Sequence, residues 1–413
     1  MEKSTGKSTD TGKLFPTYEV GSLPKLPARV SALKGREVTT EELQQLKGFG
    51  IKYGVDSAGV EGVIAKLQKE KRKPTSEERK RLLDFNAWLN IRIQEKSGID
   101  FVYDGEARRS EMYRHVVQQV DGFEDLPEMV RSQEEQSYRK SVCIAEPKLK
   151  QGALNVLVEE EFAFVNLVRN YGLHKVKIPI DDPYMVAVMS DNRYYTRLAR
   201  KRFPEDVWKQ EYQAKRDFTL VLAKDIIRPQ VKAAVSLGAQ WIQLDLPVAT
   251  VNPDHIPIVV EGINAVVENI PGEDLQFSLH FCYPRRNSLT TKNGYELLYP
   301  HVLNLNQRVK HFSLELANAD TYEQDLAVFA QYQEERKFDL GVGVIDITLG
   351  RQRDGLFETP PLVRDRIIRA AQALKDPTLI YVAPDCGMRQ LSLERCIRLY
   401  ETMVEGAELA RKG

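Results

Sequence analysis

FSLHFCY, residues 277–283, is the stretch that decides how the chain is read. Side chains alternate across a strand, so a buried strand here turns His280 and Cys282 to the same face, where they can hold one object between them. Seven more short apolar or β-branched segments share its character, most of them ending on a polar or glycine-containing group. They are TYEVGS (17–22), DFVYDGE (100–106), KVKIPID (175–181), WIQLDLP (241–247), HFSLELA (311–317), FDLGVGVID (338–346) and LIYVAPDCG (379–387). Between most of them lie segments of helical periodicity, for example residues 208–238. Strands alternating with helices imply a parallel sheet, and eight repeats imply closure into a (β/α)8 TIM barrel. The polar residues sit at the C-terminal ends of the strands, the rim on which such barrels build active sites.

Length and composition agree with that reading. The chain has 413 residues, 42% of them hydrophobic, enough for one large barrel with additions. Lys and Arg number 59 and Asp and Glu also 59, so net charge gives no reason to expect nucleic acid or an acidic membrane, and a small-molecule partner is expected. No run approaches the roughly 20 apolar residues of a membrane span. The opening MEKSTGKSTDTGK lacks the apolar core of a signal peptide, so a cytoplasmic location is expected. Residues 1–14 read as a disordered polar tail and residues 15–413 as a single barrel domain. Gly6-Lys7-Ser8 ends like a phosphate-binding loop but lacks the earlier glycine, the strand and the helix that the motif needs.

Helical insertions are expected near the N-terminus, at about residues 39–98, and after strand two, at about 107–165. In the first, Thr75-Ser76-Glu77-Glu78 reads as a capping box. The basic run at 69–81 is interrupted by acids and has no interleaved aromatics, so it reads as a solvated face. The second insertion is polar, rich in Gln and Glu, and is expected to cover part of the rim.

Alone, His280 and Cys282 could both be satisfied core residues. Two more candidates end later strands: Glu315 in HFSLELA and Cys386 in APDCG. Strands five, six and eight would then deliver His, Cys, Glu and Cys to one rim. That set suits zinc, which takes thiolate and imidazole nitrogen and tolerates a carboxylate oxygen. Two thiolates and one carboxylate around a dication leave a net charge of about −1, which makes a poor electrophile. The useful property is different: zinc lets a bound thiol ionise near neutral pH while electron-rich ligands keep the sulfur nucleophilic. Exchange of Glu315 for an incoming thiol conserves the charge, so alkylation of a substrate thiolate is the expected chemistry. Cys396 and Cys143 have apolar surroundings and read as core.

With these residues in view the chain resembles the catalytic C-terminal half of cobalamin-independent methionine synthase, and in its size the short core form. The resemblance runs from about Tyr18 to the C-terminus. It is carried by Gly21-Ser22, Asp104-Gly105-Glu106, Arg109-Ser110-Glu111-Met112, Asp245, His280-Phe281-Cys282, Glu315 and Pro384-Asp385-Cys386-Gly387. It implies zinc-dependent methyl transfer to the thiol of homocysteine, giving methionine. By that likeness His280, Cys282, Glu315 and Cys386 bind zinc, Gly21 and Ser22 hold the substrate carboxylate, and Glu106 and Asp245 hold its ammonium. Glu315 and Asp245 are the expected catalytic pair.

The departures bear on the methyl donor. Met189 stands near the position of the family's folate-stacking tryptophan, and Asp245-Leu246-Pro247 replaces its D-E-P. Asp346-Ile347-Thr348 replaces a D-I-H whose histidine is thought to protonate the departing folate. Threonine is no general acid at neutral pH. Departing Co(I) corrinoid needs no proton, so a methylcorrinoid, free or protein-bound, is preferred over 5-methyltetrahydropteroyl(tri)glutamate. Three other readings compete. In one the acceptor is a different thiol, such as coenzyme M. In another the barrel is a metal-free decarboxylase using Arg108, Arg109, Arg285 and Arg286. In the third it is a non-catalytic zinc-binding barrel.

Overall fold

The computed structural model describes residues 11–109, 111–131, 137–170, 175–249, 252–272, 274–283, 294–317, 322–348 and 358–413. Gly6-Lys7-Ser8 with most of the expected tail, Ser110, Arg285 and Arg286 lie outside the described residues.

Seven of the eight expected strands form, the first is represented by the two bridging residues Thr17 and Tyr18, and together they pair in chain order around a ring. Tyr18 bridges Phe101, and Phe101–Val102 pairs with Lys175–Val176. The third strand resumes at Ile178–Asp181 and pairs with Trp241–Asp245, which pairs in turn with Gln276–Phe281. Val309–Leu314, Asp339–Ile345 and Ile380–Pro384 follow, and Thr17 returns to bridge Val382. Every pairing is parallel. The sheet therefore closes into the (β/α)8 barrel read from the sequence, and all strand C-termini arrive at one rim.

Two apolar layers hold it. The larger lies between the strands and the surrounding helices. The smaller lies inside the barrel and comprises Tyr18, Val20, Phe101, Trp241, Tyr381 and Ala383. Trp241 meets Phe101 edge-on at 4.6 Å and the His311 ring at 5.1 Å, and the Tyr18 hydroxyl and His311 Nε2 share a 3.1 Å hydrogen bond. This aromatic plug fills the inside of the barrel at the strand starts, away from the rim.

Residues 39–98 hold three helices, Thr40–Tyr53, Ala58–Glu70 and Ser76–Lys96. The last opens with a capping box: Thr75 Oγ1 accepts from the Glu78 N–H while the Glu78 carboxylate accepts from the Thr75 N–H. The insertion after strand two begins with helix Met112–Val117 and then forms an antiparallel pair, Val120–Arg131 with Ser137–Leu149. Its regular alternation is broken at Gly122, whose φ of +92° accompanies a register shift. The pair docks on the segment after strand three: Val142 and Cys143 pair with Asp191 and Asn192, and Tyr113 hydroxyl and Ser190 Oγ lie 3.0 Å apart. Cys143 and Cys396 are buried, free thiols. Among the described residues no helix is long and apolar enough to cross a membrane.

Gly341 is where strand seven passes the plug, and a Cβ built there would lie 1.7 Å from Tyr18 Oη and 2.7 Å from His311 Nε2. Gly341→Ala should therefore lower the denaturation midpoint by an amount worth about 2–3 kcal/mol. Adding Tyr18→Phe, which removes the nearest atom, should recover part of that loss.

Candidate metal centre and substrate pocket

His280 is the penultimate residue of the fifth strand, Cys282 follows that strand, Glu315 follows the sixth and Cys386 lies just after the eighth. The closed ring brings one donor atom from each of the four to within 4.8 Å of all the others. Cys282 Sγ is 3.4 Å from His280 Nε2 and 3.7 Å from Cys386 Sγ. Metal–ligand lengths of about 2.3 Å to sulfur and about 2.0 Å to nitrogen in a tetrahedron demand separations of roughly 3.8 and 3.6 Å. The donor set thus fits a zinc-sized, thiophilic cation in both chemistry and spacing.

Each donor is braced from behind. His280 Nδ1 lies 3.3 Å from the Ser313 carbonyl, so it carries the proton and leaves the Nε2 lone pair facing Cys282. Burial, helped by the charge of Lys177, pushes the imidazole pKa down to about 3 and keeps it neutral. Glu315, only 9% exposed, has its backbone N–H on the Tyr295 hydroxyl, which itself donates to the Phe281 carbonyl. Asp385, beside Cys386, accepts from the N–H groups of Leu316 and Ala317 at 2.9 and 2.8 Å. One buried carboxylate thereby fixes the Cys386 loop against the Glu315 loop. Gly343 makes room for it, since a Cβ there would lie 2.2 Å from Asp385 Oδ1.

The other expected residues adjoin this group. Asp245 is the register partner of His280 on the neighbouring strand. Gly387 packs so closely on Ser22 that an added Cβ would sit 2.9 Å from both its N and its Oγ. Gly21 lies against Glu106, its Cβ position 3.0 Å from Oε1. Glu106 holds a left-handed backbone, φ +55°, with its N–H on Asp104 Oδ1 at 2.7 Å. Strain of this kind in a non-glycine residue is found where a side chain must be aimed. The Gly21 N–H is already taken by Glu19 Oε1 at 3.1 Å. Ser22, with its N–H and hydroxyl, is the better placed of the two for an anion.

Behind Asp245 lies a polar layer that the sequence reading did not single out. Gln243 donates to Asp245 Oδ1 at 2.6 Å and to the Val20 carbonyl at 2.7 Å, and it accepts from Lys177 Nζ at 2.7 Å. Burial and then the Glu106 charge push Asp245 up to about 7, with Lys177 and the Gln243 bond opposing them. Gln243 stands two residues before Asp245 and Lys177 four before Asp181, so period-two alternation alone could have found both. Arg109 is engaged by Glu161, the Tyr103 hydroxyl and the Pro179 carbonyl, and Arg108 by Asp84, Glu160 and the Phe164 ring. Neither is left to bind the propionates that a decarboxylase would require. Met189 ends helix Pro183–Met189, and Thr348 Oγ1 donates to Asp346 Oδ1 at 2.7 Å.

Fold and side chains define a (β/α)8 barrel whose rim gathers four potential metal ligands, two of them cysteines, next to the carboxyl of Asp245. The family described as cobalamin-independent synthase, catalytic domain, matches residues 209–409. The chain is 31% identical over 322 residues to a methionine synthase of Pyrococcus horikoshii, covering 78% of this chain and 80% of that protein. To that of Thermoplasma acidophilum it is 30% identical over 325 residues, covering 74% and 82%. Among solved structures, the B12-independent methionine synthase from Shewanella sp. W3-18-1 in complex with selenomethionine superposes with a TM-score of 0.69. It is 19% identical, and the match covers 97% of this chain and 98% of that one. The chain belongs to the cobalamin-independent methionine synthase family.

Asp385→Asn keeps the shape but weakens both charge-assisted bonds to the Glu315 loop. It should loosen the grip on a divalent metal by about 10–100-fold, measured by competition with a chromogenic chelator. An unchanged affinity would show that the loops hold themselves.

Proposed function

We propose that this protein transfers a methyl group to the thiol of homocysteine, forming methionine, with zinc held by His280, Cys282, Glu315 and Cys386. The observation that carries the reading is the convergence of those four donors beside Asp245 and Glu106 on one rim. The methionine synthases that the chain resembles support the same reaction.

When bound there, zinc supplies the acidification that turns a visiting thiol into a nucleophile near neutral pH. The chain's residues do the rest. Ser22, with Gly21 shaping the turn, receives the substrate carboxylate, while Glu106 and Asp245 receive the ammonium, fixing the direction of the Cβ–Cγ–S arm. Gln243 and Lys177 hold Asp245 in place. Glu315, whose backbone N–H is held by the Tyr295 hydroxyl, would yield its place to the incoming sulfur with the charge conserved. The two rim carboxylates would repel a sulfonate thiol of the coenzyme M type.

The choice of donor turns on Thr348. In the reaction the C–S bond forms as the bond from methyl to its carrier breaks, and the carrier keeps the electron pair. A tetrahydrofolate amine leaving with that pair needs a proton, and Thr348, its hydroxyl donated to Asp346, does not provide one. A corrinoid leaves as Co(I) and needs none. A methylcorrinoid is therefore the preferred donor, and methyltetrahydrofolate is the alternative.

Purified protein loaded with zinc should form methionine from homocysteine and methylcobalamin, and much less from methyltetrahydrofolate. Chelation should abolish turnover and zinc should restore it. The reverse donor preference would overturn the corrinoid choice alone; no methylation of homocysteine by either would overturn the function. Only ionised Asp245 attracts an ammonium, so KM for homocysteine should fall as pH rises through about 7. In Asp245→Asn that pH dependence should vanish and KM should rise by about tenfold or more.

A further inference from the structure

The row of inward side chains that contains His280 and Asp245 continues one strand further. Asp181 ends the third strand as the register partner of Asp245, just as Asp245 is the partner of His280. It lies on the same face of its strand as Lys177, whose ammonium reaches Val20 O and Gln243 Oε1 inside the barrel, so Asp181 points inward as well. The residue is only 4% exposed, and its buried Oδ1 has no hydrogen-bond partner. The charges that act on it most are those of Arg109, Glu106 and Asp245. Arg109 already serves Glu161, Tyr103 and Pro179, while Glu106 and Asp245 are acids like itself.

A buried carboxyl with an unmet oxygen, facing two more carboxylates, costs free energy that the field of an already engaged Arg109 offsets only in part. A cation entering from the rim would offset it. An alkylammonium has three N–H donors; Asp181 and Asp245 end the third and fourth strands, Glu106 lies on the loop after the second, and the charges of Glu106 and Asp245 both act on Asp181. We propose that Asp181 is a specificity-determining residue that completes, with Glu106 and Asp245, a three-carboxylate pocket for the ammonium of the acceptor thiol. This rests on the homocysteine reading given above and deepens it. A thiol without the ammonium would leave the three acids without a cation between them and the Asp181 oxygen still unmet, so the pocket selects amino-acid thiols by penalising the others.

The test compares wild-type protein with Asp181→Asn in methyl transfer to homocysteine and to its des-amino analogue, 4-mercaptobutanoate. KM for homocysteine should rise about tenfold with kcat nearly unchanged, and the preference in kcat/KM for homocysteine over the analogue should shrink by a similar factor. Loss of activity toward both thiols by the same factor, or no change toward either, would overturn the assignment. Asp181→Ala guards against a disturbed rim. Its melting temperature and metal content should match or exceed those of wild type, because an unmet carboxyl has been removed, and the same loss of preference should appear. A fall in melting temperature and metal content with the preference intact would make Asp181 structural. Wild-type protein with full metal content that methylates neither thiol and is not stabilised by homocysteine would overturn the homocysteine reading, and this one with it. Wild-type turnover with an unaltered preference in the variants overturns only the role of Asp181.

Discussion

Everything on the rim depends on two bridging residues. Thr17 and Tyr18 fill the gap between Val382 and Phe101, and without them six well-paired strands and a short second ribbon would form an open sheet. Their place is secured from inside, because the Tyr18 ring belongs to the aromatic plug and its hydroxyl bonds His311 across the barrel. Closure carries Ser22 onto Gly387, the neighbour of Cys386, so the loops after the first and last strands meet at the rim. Parallel pairing does the rest: strands in register end at the same level, and residues a hundred positions apart become neighbours.

Beyond the aromatic rings of the plug the interior side chains become smaller and then polar along three of the strands. Tyr18 gives way to Val20 and the Gly21-Ser22 turn, Trp241 to Gln243 and Asp245, and Tyr381 to Ala383 and Asp385. Such a layer is tolerable only where its members satisfy one another. Lys177 illustrates this: burial pulls its pKa down to about 8, yet its ammonium has the Val20 carbonyl and the Gln243 amide as partners and lies in the field of Asp245 and Glu19. Glu19, pushed up to about 7 by burial, accepts from the Tyr400 hydroxyl and the Gly21 N–H. Asp181 stands out against this background because its neighbours leave it an unmet oxygen.

The strands are legible in the sequence because each is a short apolar run that stops on polar or small residues, and that boundary is itself the rim. His280 and Cys282 announce themselves by spacing within one strand. Glu315 and Cys386 are recognisable as ligand types, but their approach to the pair is a property of strand order and closure, which no local window contains. The supporting residues are harder still. Asp385 reads as part of a motif, yet its service to the backbone of Leu316 and Ala317 is a contact between two loops. Asp181 looks in sequence like one half of an Asp-Asp helix start, and Asp182 does take that part by capping Tyr184 and Met185. Only the register with Asp245 separates the two roles. The paired strands after strand two are hidden for another reason: their polar composition matches a solvated loop, and a bulge at Gly122 interrupts the alternation that would have marked them.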